Sequence, residues 1–333
     1  MNGYERTRNF VLGRPVDRPP FMPLAIEWVS RHEGMTYPEF IYDPVRRAEA
    51  YIRCAEEFDF DCVLPDADFY EQLEDFGSKP VFDGKAFSAA PILSDPADAA
   101  SLALPDFAPG TREGNRLRIL RDVAARYKGE KYIFGIVVGP FTEYCNARGV
   151  EDGLMDLMDD EDAVIEAMKV FYQNGLNFIQ AQLEAGADGI QIVEPCCSLI
   201  PPALYESAVL PFHREMVKLI QKDGGFARLH ICGDTNRILP LTLGTGTHIL
   251  DVDYQVDLEA GAKLLGPEQV FCGNLSPAGD VLNGAPGDFA EKVRQIHEKS
   301  GHRTILSAGC DIPPATTVEN MRAFHDAAAA LAE

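Results

Sequence analysis

Eight times along the chain, a short run of apolar and β-branched residues gives way to polar residues or glycine and then to a stretch of helical periodicity. The runs occupy residues 20–28 (PFMPLAIEW), 61–68 (DCVLPDAD), 132–141, 188–195, 227–234, 248–254, 270–277 and 304–311. Short runs bounded by turn formers read as strands. The segments 161–186 and 202–225 read as helices that end in Gly186 and in Gly224 and Gly225, as helix C-termini prefer. Eight strand–helix units in 333 residues suggest a (β/α)8 barrel of the TIM type. Residues 1–333 then form a single domain, with residues 1 to about 19 as an N-terminal extension. An open doubly wound sheet is the alternative. No G-x-G-x-x-G follows the first run, which weakens its dinucleotide-binding form.

The formal charge of −22 argues against a nucleic-acid partner, because phosphate backbones need cationic surfaces. It describes a strongly solvated surface, or in part a docking face for a basic patch on another protein. The opening stretch lacks the apolar region of a signal peptide, and no run approaches the ~18–20 apolar residues of a membrane span. Eight cysteines at irregular spacing do not resemble a secreted disulfide framework, so a reducing cytoplasm is expected.

Barrel topology gives the polar residues a common place, because reactive groups of such folds gather at the C-terminal ends of the strands. Glu27, Asp66, Asp68, Thr142, Glu194, His230, Cys232, Asp253, Asn274 and Cys310 all fall there. Any one of them also serves as a cap or turn residue. His230 and Cys232 are two residues apart in RLHICGDTN, so in a strand they face the same side. Cys310 ends the last run, TILSAGCD, which barrel closure can bring close. Imidazole and thiolates suit a tetrahedral zinc with one replaceable position. The other reading makes Cys232 and Cys310 small buried hydrophobes and His230 a core hydrogen-bonding group. Cys196 and Cys197, being adjacent, point to opposite faces of an extended segment and do not chelate together. Cys54, Cys62, Cys145 and Cys272 read as packing residues. Glu194 ranks first as a further ligand or substrate contact, ahead of Glu27 and Asp253.

Four segments then matter together: GPFTEYCNARGVEDGLMDLMDDED, RLHICGDTNRIL, VFCGNLSPAGDVLNGAP and ILSAGCDIPPATTVENMRAF. They resemble the uroporphyrinogen decarboxylase superfamily, and within it the branch of zinc-dependent corrinoid methyltransferases. The resemblance implies a TIM barrel, zinc held by His230, Cys232 and Cys310, and methyl transfer between a corrinoid cobalt and a small thiol acceptor or methyl donor such as a methoxylated aromatic. It implies supporting roles for Glu194, Asp253 and Asn274 in catalysis. Glu27, Asp66, Tyr70 and Thr142 would contact the cofactor or substrate, with Phe69, Tyr70 and Trp28 as aromatic surfaces or as core filling. No D-x-H-x-x-G corrinoid motif occurs in the 333 residues, so the cobalt is expected on a separate corrinoid protein. A metal-free decarboxylase is the alternative; it would need a basic N-terminal motif for porphyrinogen carboxylates, where this chain has only Arg31 in FMPLAIEWVSRHEG.

Overall fold

A computed structural model describes residues 1–66, 68–82 and 87–331. In chain order the strands are β1 (Cys62–Val63), β2 (Pro80–Phe82), β3 (Phe87–Ala89), β4 (Tyr132–Val138), β5 (Gly189–Val193), β6 (Phe226–Ile231), β7 (Ile249–Val252), β8 (Val270–Leu275) and β9 (Thr304–Ala308). Seven of them form one parallel sheet in the order β1-β4-β5-β6-β7-β8-β9, and β2 and β3 make a separate antiparallel hairpin. Sheet neighbours follow one another in sequence once the hairpin is set aside. Each step therefore needs a crossover, and helices such as Arg112–Tyr127, Glu161–Glu184 and Leu210–Gln221 supply it. This is a single-domain α/β fold.

Burial explains the composition of the strands. All seven residues of β4, YIFGIVV, are buried, as expected of a parallel strand covered on both faces. The same holds for β5, β6, β7 and β9, although these carry Gln191, Arg228, His230 and Asp251 among their apolar residues. Register places Gln191 beside Arg228 and His230 beside Asp251 on adjacent strands.

Six of the eight expected strands lie within their predicted runs, and a seventh, β6, starts one residue early at Phe226. The first run behaves differently. It makes only an isolated parallel bridge, Phe21 to Leu306, and is helical from Ile26 to His32. Pro19, Pro20 and Pro23 account for this, because proline has no N–H to give a ladder. The segment is nevertheless bonded on both sides. Leu306 N–H donates to Pro20 O (2.8 Å), Met22 N–H to Leu306 O (3.0 Å) and Asp61 N–H to Phe21 O (2.9 Å). Asp311 then accepts from the Ile26 N–H at 2.7 Å, at the start of the helix.

Residues 1–19 pack onto the opposite end of the sheet. The helix Gly3–Val11 starts at an Asn2–Glu5 capping box, and Arg6 and Arg18 converge on the buried Asp61 just before β1. Among the described residues, no helix is long and apolar enough to cross a membrane.

Candidate metal centre

His230 is the penultimate residue of β6, and Cys232 lies one residue past the strand end. Cys310 follows β9 by two residues. Their ligand atoms converge: His230 Nε2 to Cys232 Sγ is 2.9 Å, Cys232 Sγ to Cys310 Sγ 3.6 Å, and Cys310 Sγ to His230 Nε2 3.9 Å. The imidazole is fully buried, whereas both thiols are partly accessible. The approach of Cys310 depends on Gly309, where a Cβ would stand 2.5 Å from the Tyr254 nitrogen.

The electrostatics are those of ligands sharing too few protons. The hydrogen bond from Cys232 holds the Cys310 thiol down to about 5, helped by His230 and opposed by burial. Cys232, which keeps the shared proton, is pushed up by that same bond and by burial. Burial pulls the His230 pKa down, but the charges of Cys232 and Asp251 outweigh it and raise it well above the usual range. The donor set of one imidazole and two thiols fits zinc, and among the described residues no carboxylate joins the three within 4.8 Å, which leaves room for an exchangeable ligand.

A second group, His32, Glu33 and Cys54, has comparable spacing. Its members already have partners: Glu33 accepts from Arg53 at 2.7 Å and His32 lies 2.9 Å from Glu57. Cys196 and Cys197 are buried in the turn Pro195–Leu199, outside both groups.

None of the remaining expected residues belongs to this group. Glu194 is fully buried, 2.8 Å from His213 Nε2, and accepts the Thr142 N–H at 2.5 Å. Tyr205 completes this chain at 3.0 Å from His213 Nδ1. Gly139 leaves the space, since a Cβ there would stand 1.8 Å from Glu194 Oε2. Thr142 also accepts from the Cys196 N–H at 3.2 Å. Asp253 accepts the Gly233 N–H (3.1 Å) and so braces the loop beyond Cys232. Asn274 donates to the carbonyls of Asp253 (3.3 Å) and Val256 (3.2 Å). It also lines a cavity of about 470 Å³ with Tyr254, Asp280 and Lys292, and that cavity does not include the His–Cys cluster.

On the β1 side, Asp66 binds Arg116 (2.8 Å) and Asp68 binds Arg112. Glu27 occupies the first turn of the helix Ile26–His32, where burial raises its pKa. Tyr70 and Phe69 are partly buried, and Tyr70 lies 6.4 Å from the Phe87 ring. Trp28 is a core residue, its indole N–H donating to Thr316 O at 2.8 Å. Arg31 is exposed at the end of its helix.

Sequence reasoning missed Asp251, whose Oδ2 lies 3.2 Å from His230 Nδ1. The signal was present: in HILDVDY, Asp251 and Asp253 are two apart and share a strand face. It also missed His213, a helical residue with no local cue, and Glu143, a buried carboxyl in the helix Pro140–Arg148.

A model of the uroporphyrinogen decarboxylase (URO-D) family matches residues 3–331. The chain belongs to that family. Its relatives include the methylcobamide:CoM methyltransferase MtbA of Methanosarcina acetivorans, 28% identical over 65% of this chain. The MtbA of Methanosarcina mazei is 27% identical over the same share. The chain spans 63% of the length of each MtbA, just under two thirds. A uroporphyrinogen decarboxylase of Trichlorobacter lovleyi is 24% identical over 94% of this chain and 95% of its own length. Among solved structures, a methyltransferase from Methanosarcina mazei superimposes with a TM-score of 0.88 over 98% of both chains, at 22% identity, a likeness of fold.

Proposed function

We propose that this protein is a zinc-dependent corrinoid methyltransferase, moving a methyl group between a corrinoid cobalt and a small substrate. The observation that carries the reading is the convergence of His230, Cys232 and Cys310 to within 3.9 Å of one another. The two MtbA relatives support it, since their name specifies methyl transfer between a methylcobamide and CoM. Under this reading the sheet is a (β/α)8 barrel, with the Pro20–Leu24 segment as its eighth stave. The hydrogen bonds of that segment to Leu306 and Asp61 support the closure. Residues 1–333 act as one domain in the cytoplasm, with residues 1–19 as an extension.

Zinc in such a ligand set supplies Lewis acidity, lowering the pKa of a thiol or polarising the heteroatom of a methyl donor. The chain's own residues do the rest. As thiolates, Cys232 and Cys310 would offset the charge of the cation, so that a substrate thiolate held there would keep its nucleophilicity. Asp253 and Asn274 hold the loops after β6 and β7 at the mouth, and Glu194, fixed by His213 and Thr142, keeps a buried carboxylate beside β6. Glu27, Asp66, Tyr70 and Thr142 are proposed to shape the substrate and corrinoid face of the mouth. The corrinoid arrives on a separate protein.

The test is a zinc assay on the purified chain, followed by methyl transfer from methylcobalamin to a panel of thiols, and from aryl methyl ethers to cob(I)alamin. About one zinc per chain and zinc-dependent turnover in either direction supports the reading. A chain that takes up no zinc, and carries out no transfer, refutes it.

A further inference from the structure

Behind the ligand cluster lies a buried chain of charges that the proposed chemistry does not yet use. Arg228, two residues before His230 on β6, and Asp251 on β7 are 0% and 2% exposed. Arg228 Nη2 contacts Asp251 Oδ2, and the same oxygen lies 3.2 Å from His230 Nδ1. Register places Asp251 directly beside His230, and the i, i+2 alternation puts Arg228 on the face that His230 uses. Arg228 is itself held, with Nη1 3.2 Å from Met22 Sδ and the guanidinium 5.8 Å from the Phe134 ring centroid.

A buried ion pair is a poor device for stability alone, because desolvating both charges offsets most of their attraction. Its placement suggests another use. With Nδ1 turned to Asp251, the imidazole must present Nε2 to the sulfurs, and that is the nitrogen 2.9 Å from Cys232. Nδ1 has no hydrogen-bond partner of good geometry among the described residues, and with a metal on Nε2 the Asp251 carboxylate, 3.2 Å away, is the acceptor that would hold the proton on Nδ1. Arg228 keeps that arrangement neutral in charge: zinc with two thiolates carries none, and an ionised Asp251 alone would add a negative charge.

We propose that Asp251 is a positioning residue that fixes the orientation and tautomer of His230 for metal binding, and that Arg228 balances its charge. This rests on the metal reading above. The test uses the full-length chain as wild type, Asp251→Ala, Asp251→Asn and Arg228→Met. Zinc affinity is measured by chelator competition, and ligand geometry by the visible spectrum of the cobalt(II)-substituted protein. Thermal melts without metal identify the folded variants.

Asp251→Ala is expected to weaken zinc binding about 10–100-fold and to shift the cobalt bands, as removal of outer partners of metal-bound histidines does. Asp251→Asn, which retains an acceptor for Nδ1–H, is expected to lose less. If Asp251→Ala does not fold, Asp251→Asn and Arg228→Met decide. Wild-type affinity and an unchanged cobalt spectrum in the folded variants overturn the proposal while leaving the metal reading intact. Failure of the wild type to bind zinc overturns both.

Discussion

Two sides of the same sheet bury comparable numbers of charged and polar groups, to opposite ends. On the β1 side, Asp66, Asp68, Glu71 and Glu74 meet Arg47, Arg112 and Arg116. Arg116 alone donates to Asp66 (2.8 Å) and Glu71 (2.9 Å). On the β6–β9 side, His230, Cys232 and Cys310 meet chiefly one another, and Arg228 is taken by Asp251. One cluster is neutralised by the protein itself. The other, under the proposed function, is completed by a cation from outside. Strand-end residues of similar polarity thus become structure or site according to what the helices bring to them.

The sharpest way to test that contrast is to remove one member from each side. Zinc in thiolate–imidazole sets is bound by ~10–16 kcal/mol, so loss of one ligand should cost affinity on the order of 10³-fold. Cys310→Ala should accordingly reduce zinc from about one per chain to near none in metal analysis, and abolish methyl transfer. Arg116→Met should leave zinc content unchanged but lower stability by ~3–5 kcal/mol in urea denaturation, since Asp66 and Glu71 would each lose a buried ion-pair partner. Zinc loss in Arg116→Met, with stability retained, would mean that the two clusters are one.

Smaller effects refine the picture. Gly139→Ala should cost ~1–3 kcal/mol by pushing a methyl group into the Glu194 carboxylate, again read by urea denaturation. Glu143 gives a dependence on pH. Burial, then the charges of Glu194 and Asp68, raise its pKa well above 4.5. The folded chain therefore holds a proton that the unfolded chain releases near 4.5, and stability is lost as pH rises from there through the folded pKa. Glu143→Gln, with no proton to lose, should flatten that decline in melts recorded between pH 5 and 9. An identical slope in the variant would assign the decline to other groups.

How far the sequence reached is clearest from individual residues. The spacing of His230 and Cys232 was legible because strand alternation is local, and Cys310 because the strand count placed its run last. Asp251 obeyed the same alternation as Asp253, but a residue inside a strand draws less notice than one at its end. Arg112 and Arg116 were illegible as partners: their acids lie 38 to 50 positions away, on elements joined only by packing. Trp28, beside a strand end in sequence, entered the core because Pro23 and its neighbours ended the extended run and a helix took over.

The single-residue bridge at Phe21 has a consequence for metal exchange. Cys310 belongs to the chain leaving β9, the strand that borders the Pro20–Leu24 segment, whereas His230 and Cys232 come from β6. The segment is bonded to its neighbours by the amides of Leu306, Met22, Asp61 and Ile312, but it has one bridge pair where β4–β5 and β8–β9 each have five. Local opening draws on such sparsely bonded stretches first. Under the proposed function, opening there would loosen the third ligand while the other two keep their strand, so the ion would leave in stages and not all at once. Slowed hydrogen exchange at Met22 and Leu306 on zinc loading would report the coupling, with the β4 amides as an unaffected reference.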